Sequence, residues 1–314
     1  LDFEKKMSIL THLREIKELP TLPEVMIKVQ KIVNLEKSDA AMLSEIIRQD
    51  PSLSSTILKT ANSTYYNASN RRISSLVQAI TRIGFDEVLK ITLAISAIEQ
   101  FSNTKTIIGY KSFWRHSLAA AGLAQLIVSM SKSESISDDY QDFFLAGLLH
   151  DIGILIYDQF FHSEFGKIID YALKEDKSYL DAENEISPKE THAFIGGALL
   201  EIWKLALPII GAVRYHHTPE KCPQKLGGIV AVIALTEYIL SSSYFGSFEG
   251  SSCEINESVW TNAGISPDTK NILYAKAEME SNKAEIILSS NPRYNKIGDI
   301  SWQNDPDHSM LRTI

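Results

Sequence analysis

Apolar residues recur at helical spacing almost from end to end of this chain, and sustained alternation of apolar and polar positions, the mark of a strand, is nearly absent. The pattern predicts an all-α protein. Its punctuation is local and physical. Asp50-Pro51 puts a side-chain acceptor at an N-cap and proline at the first helical position, where its missing N–H costs nothing, so a helix is expected from there to about Ala61. Ser187-Pro188 repeats the device. Ser266-Pro267 does so again, ahead of a polar, amphipathic helix expected to reach about Leu288, with Asp268 placed to favour the helix dipole. Gly84 reads as a stop between two short helices.

Polar and small residues from Ser102 to Gly109 separate two long apolar-periodic stretches, which sets a boundary there. The expected organisation is an N-terminal helical bundle over residues 1–108 packed on a second helical domain over 109–245, followed by a loop and C-terminal helix over 246–314. The stretch from Ser241 to Gly264, rich in Ser, Gly and Asn, is expected to be a long, mobile loop. No repeat of fixed period and no low-complexity tract interrupts this picture.

Composition narrows it. At 314 residues the chain can hold two subdomains. Its unbroken apolar run from Ile229 to Leu235 falls far short of the roughly 18 residues a membrane span needs, so none is expected. The segment Leu1–Leu10 lacks the apolar core of a secretory signal, and Cys222 and Cys253 are too few for a disulfide framework, which together suggest the cytoplasm. Thirty-one Lys and Arg stand against 39 Asp and Glu, and a net charge of -8 gives no footprint for a nucleic-acid partner. Hydroxyls and aromatics in SSTILKTANSTYYN read as helix ends and core. Neither a phosphate-binding G-x-x-x-x-G-K-[ST] loop nor a G-x-G-x-x-G fingerprint is present, which argues against nucleoside triphosphate hydrolysis.

The candidate chemistry lies in the histidines. In FFLAGLLHDIGIL, from Phe143 to Leu155, an adjacent His150-Asp151 pair interrupts a helix that is otherwise apolar on every face. Such a helix is buried, and an uncompensated buried carboxylate costs roughly several kcal/mol. A divalent cation would compensate Asp151, with the neutral imidazole of His150 as a second ligand. His116 in FWRHSLAAAGLA, His192 in THAFIGG, and His216 with His217 in RYHHTPE supply further candidates on other helices. Imidazole and carboxylate together suit iron, manganese, nickel or zinc, and do not favour calcium. Taken singly, each of these histidines reads as a satisfied core or helix-end residue; their clustering is what points to a ligand set. His12, His162 and His308 lack such company and read as ordinary.

The succession of His, His-Asp and further histidines on successive helices resembles the HD superfamily of metal-dependent hydrolases. Leu19-Pro20-Thr21-Leu22-Pro23-Glu24-Val25, IIRQDPSLSSTILKTANSTYY from Ile46 and AITRIGFDEV from Ala79 narrow the likeness to the HDOD family, the HD-related output domains of bacteria. The matched segments run in order from about Leu19 to His217. The resemblance implies a helical bundle on an HD-type domain in a regulatory or signalling protein, whose partner is an unidentified protein or small ligand. It also places Glu237, in ALTEYIL, where HD hydrolases carry their last metal-binding aspartate. Catalysis is not implied: Ile154 stands where the cyclic-dinucleotide hydrolases have a lysine, and Thr218-Pro219-Glu220-Lys221-Cys222 replaces their Gly-Tyr-Pro segment. The expected function is thus a signalling module with a degenerate, metal-type pocket, and the alternative is a metal-dependent phosphohydrolase.

Overall fold

The computed structural model describes residues 11, 13, 15–16, 19–33, 39–67, 71–101, 107–133, 136, 140–242, 255–292 and 294. All regular structure among them is helical. The chain divides into two compact units, one comprising 1–19, 105–281 and 300–314, the other 20–104 and 282–299. Residues 102–106 of the expected boundary, like Cys253, His12 and His308, lie outside the described residues.

In the smaller unit, α1 (Glu24–Val33), α2 (Ala40–Arg48), α3 (Pro51–Asn62), α4 (Leu76–Ile83) and α5 (Phe85–Gln100) follow in order. Local chemistry fixes their ends. The Asp50 carboxylate accepts from the N–H groups of Ser52 at 2.7 Å and Leu53 at 3.1 Å, two of the donors a helix start leaves unpaired. Gly84 ends α4 at φ 99°, a conformation that disfavours any side chain. Leu43, Ile47, Leu53, Ile57, Ile80, Val88 and Ile95 are buried between these helices. Thr56, Thr60 and Ala61 are buried too, so the hydroxyl-rich stretch is core and helix end.

The larger unit contains α6 (Tyr110–Met130), α7 (Tyr140–Leu149), α8 (Ile152–Phe160), α9 (His162–Lys174), α10 (Tyr179–Ile186), α11 (His192–Ile202), α12 (Leu207–Tyr215), α13 (Gly227–Ser241) and α14 (Glu257–Asn262). The last helix, α15 (Lys270–Ser290), belongs to this unit as far as Ser281. Helix α6 packs on α7 and α13, α8 on α11, and α12 on α7, α11 and α13. The apolar stretches 142–160 and 224–241 have the length and hydropathy of membrane spans, yet 89% and 67% of them are buried inside the protein, where they form its core.

Three expectations are corrected here. The expected single helix through Phe143–Leu155 breaks at His150-Asp151, two turn residues between α7 and α8. Ser187-Pro188 does not open a helix: Ser187 ends α10, its hydroxyl bonded to Tyr157 at 2.9 Å, and Thr191 caps α11 instead. The stretch from Ser241 to Gly264 is not all loop, because Val259 and Trp260 bury themselves and fold Glu257–Asn262 into α14; residues 243–254 lie outside the described residues.

Two close approaches tighten the unit around the His-Asp turn. A Cβ at Gly153 would overlap the His192 carbonyl oxygen, and one at Gly147 would stand 2.8 Å from the Ala120 carbonyl oxygen. Glycine at these two positions lets α8 meet α11 and α7 meet α6 backbone to backbone. At the other end of α8, buried Asp158 accepts the N–H groups of Ile107 at 2.6 Å and Ile108 at 3.1 Å, fixing the entry to α6. Burial pushes its carboxyl up to about 6 from 3.8, against the opposing pull of those two N–H groups and of His162. The folded chain therefore binds a proton between about pH 4 and 6 that the unfolded chain does not, and this group's contribution to stability falls as pH rises through that window. Asp158→Asn, which keeps an acceptor without the charge, should remove roughly 2–3 kcal/mol of that pH dependence, read from urea unfolding at pH 4 and pH 6.5. An unchanged slope would refute the assignment.

Candidate metal centre

The fold brings all seven predicted side chains together. His116 comes from the second turn of α6, His150 and Asp151 from the α7–α8 turn, His192 from the first position of α11, His216 and His217 from the end of α12, and Glu237 from α13. They form two donor sets, His116, His150, Asp151 and Glu237 in one and Asp151, His192, His216 and His217 in the other, with the ligand atoms of each set within 4.8 Å of one another. Asp151 belongs to both. Its Oδ2 lies 3.3 Å from His150 Nε2 and 3.6 Å from His116 Nε2, while its Oδ1 lies 3.4 Å from His192 Nε2 and 3.5 Å from His216 Nε2. Glu237 Oε2 closes the first set at 3.0 Å from His116 Nε2 and 3.1 Å from His150 Nε2.

The backbone decides which imidazole nitrogen faces inward. His150 Nδ1 lies 2.7 Å from the Gly147 carbonyl oxygen and His216 Nδ1 2.7 Å from that of Val213. A carbonyl can only accept, so each Nδ1 carries a proton and each Nε2 is the nitrogen turned to the centre, able to serve as a ligand once it holds no proton of its own. His192 Nδ1–H donates to the Glu183 carboxylate at 2.7 Å with the same result. The consequence is unusual for a protein interior: His192 Nε2, His216 Nε2 and His217 Nδ1 are buried without a hydrogen-bond partner. Distances of 3.3–3.6 Å are long for hydrogen bonds, but are what two ligands make across an ion bound at about 2.0–2.2 Å from each. The donor set can hold divalent metal.

Electrostatics point the same way. Burial opposes ionisation of Asp151, yet His150, His192 and His216 outweigh it and hold its carboxyl well below the usual range. Glu237 is held down against burial by His116 and His150. His150 and His116 are correspondingly raised against burial by the two carboxylates, and His192 is raised to about 10 by Glu183 and Asp151. His216 and His217 are lowered, by burial first and then by neighbouring histidines. Protons thus balance the buried acids in the metal-free pocket, and an entering cation has to displace them.

Two neighbours were not foreseen, Glu183 and the Tyr179 whose hydroxyl donates to it at 2.8 Å. They sit in YLDAENEI, whose acidic look gives no hint that Glu183 is fully buried. His162, read as ordinary, lies outside the centre, half exposed and bonded to Asp158.

Residues 19–219 match the profile of the HDOD domain. The chain belongs to the HDOD domain family. A solved HDOD domain protein of unknown function from Geobacter sulfurreducens is 26% identical and superposes with a TM-score of 0.69, over 90% of this chain and 97% of that one. A protein from Marinobacter aquaeolei VT8, whose name assigns it provisionally to signal transduction, shares the fold at 21% identity and a TM-score of 0.69, over 88% of this chain and 60% of that one. An uncharacterised protein of Treponema pallidum (strain Nichols) is 22% identical over 227 residues, which are 70% of this chain and 41% of that relative, so the chain spans less than half of its length. The HDOD match ends before Glu237, whose place in the centre rests on the geometry above.

Proposed function

We propose that this HDOD chain is a bacterial signalling module of the cytoplasm, acting by recognition of a protein or small ligand, whose HD pocket holds a pair of divalent cations as a structural or sensory element. The observation that supports this most is the pairing of an intact donor set with its burial: His116, His150, Asp151, His192, His216 and Glu237 are each 4% exposed or less. Such burial suits side chains that hold an ion. His116, His150 and Glu237 would hold one ion, His192, His216 and His217 the other, and Asp151 both. Iron, manganese, nickel and zinc suit these nitrogen and oxygen donors.

The same donor pairing favours one second reading, a metal-dependent phosphohydrolase. Bound cations would supply an acidified water and Lewis-acid polarisation. Against it stands the residue at the position of the hydrolases' lysine, which offers the phosphoryl oxygens no charge. Ile154, in the position of the hydrolases' lysine, is 2% exposed and apolar, and Pro219–Lys221 is a short 3-10 turn in place of their Gly-Tyr-Pro segment.

Elemental analysis of the purified protein, before any metal is added, tests the reading. The expected content is about two divalent ions per chain, one for each donor set, and their removal should lower the thermal midpoint, since a ligand that binds only the folded state stabilises it. A metal-free protein whose midpoint does not respond to added manganese, iron, nickel or zinc would make the histidines purely structural.

A further inference from the structure

We propose that Glu183 is the positioning carboxylate of the His192 donor set and that Tyr179 holds it in place, which would make the two halves of the centre chemically unequal. This rests on the two-cation reading of the pocket.

Glu183 is fully buried in α10, and its charge is met by three donors. Oε1 accepts the His192 main-chain N–H at 2.6 Å and the Tyr179 hydroxyl at 2.8 Å, and Oε2 accepts His192 Nδ1–H at 2.7 Å. One carboxylate therefore grips both the first peptide of α11 and the ring attached to it. The ring cannot turn without breaking a charge-assisted bond, and its proton is fixed on Nδ1. Nε2 is thereby aimed at the centre, where it lies 3.4 Å from Asp151 Oδ1 and is buried with no hydrogen-bond partner. A cation between Nε2 and that oxygen would be held by both.

The segment joining α10 to α11 is itself anchored. Tyr157, in α8, bonds Ser187 Oγ and the Glu190 carbonyl oxygen, between α10 and α11. Helix α8 begins beside Asp151, so a single element sets both the shared carboxylate and the loop that orients His192.

The contrast with the other rings gives the inference its content. His150 and His216 lean on neutral carbonyls, whereas His192 leans on an anion. An anionic partner makes the imidazole a stronger electron donor, and loss of such an outer partner typically weakens metal binding about 10–100-fold. Glu183 accordingly gives the half containing His192 an outer anion, while the other half holds Glu237 within its donor set.

Cobalt(II) titration of the metal-free full chain, followed by visible absorption, tests this. In the parent, two equivalents should bind in sequence with separable spectra. Glu183→Gln keeps the volume and an acceptor but loses the charge; one equivalent should weaken about 10–100-fold and its absorption band should move, while the other keeps its affinity. Tyr179→Phe, which leaves both Glu183–His192 bonds in place, should weaken that same equivalent by a smaller factor and carries the test if the Gln variant does not fold. Unchanged binding of both equivalents in either folded variant, or equal weakening of both, would overturn the proposal and leave Glu183 as a helix cap. Failure of the parent to bind cobalt would be a different result, visible before any substitution, and would overturn the two-cation reading itself.

Discussion

Asp151→Ala should empty both halves of the centre, with metal affinity falling in each by more than the roughly 100-fold upper range for loss of an outer partner. The reason is the position of its two oxygens. Oδ1 faces His192 and His216, Oδ2 faces His150 and His116, and no other side chain in the cluster belongs to both donor sets. Without Asp151 the set of His192, His216 and His217 retains no anionic ligand, and only Glu183 behind His192 would be left to offset a divalent ion there. The other set keeps Glu237 but loses one of its two carboxylates. Stability should fall as well, because His150 owes its raised basicity first to Asp151 among its neighbours. Breaking such a buried pair costs about 3–5 kcal/mol. Asp151→Asn separates the two effects, since the amide preserves the shape and one of the two acceptor oxygens: it should lose metal as fully as the alanine variant while unfolding at a higher temperature. Retention of either ion at parental affinity by Asp151→Asn would remove Asp151 as the shared ligand.

Some of this was legible in residues alone, and the division follows the range of the interactions. The Asp50-Pro51 start and the Gly84 stop depend on a few neighbouring dihedrals and donors, so the chain spells them out. The His150-Asp151 pair was legible because a carboxylate in an apolar stretch demands compensation wherever it folds. The break of the helix at that same pair was not, since residues apolar on every face carry no phase from which an end could be read. Ser187 and Thr191 are both competent caps; a tyrosine thirty residues away takes Ser187, and only the tertiary fold decides that. Glu183 has the same origin, an acidic residue among acidic residues until Tyr179 and His192 enclose it. The clustering of the histidines and, for Glu237, the family resemblance named all seven side chains of the centre, but neither could say which oxygen of Asp151 faces which histidines. The two-part character of the centre is therefore a product of the fold.

A module that signals by recognition should turn over phosphate esters at negligible rates, even with its centre filled. Hydrolysis needs an activated water and also positive charge on the phosphoryl oxygens as the transition state forms; bound cations could supply the first and part of the second, and the protein's own donors would have to supply the rest. Ile154 offers nothing to an anion. Arg214, the cation adjoining the histidine doublet in sequence, is paired with Glu201 at 2.9 Å. Each missing charge-stabilising donor typically costs about a hundredfold to a thousandfold in rate, and burial of the ligand set restricts substrate entry further. The direct measurement is turnover of cyclic dinucleotides and of a phosphomonoester by protein loaded anaerobically with iron, manganese or nickel, beside Asp151→Ala as the control. The account predicts rates in the parent that match those of the Asp151→Ala protein; robust turnover that disappears with Asp151 would contradict it and make this HDOD chain a phosphohydrolase.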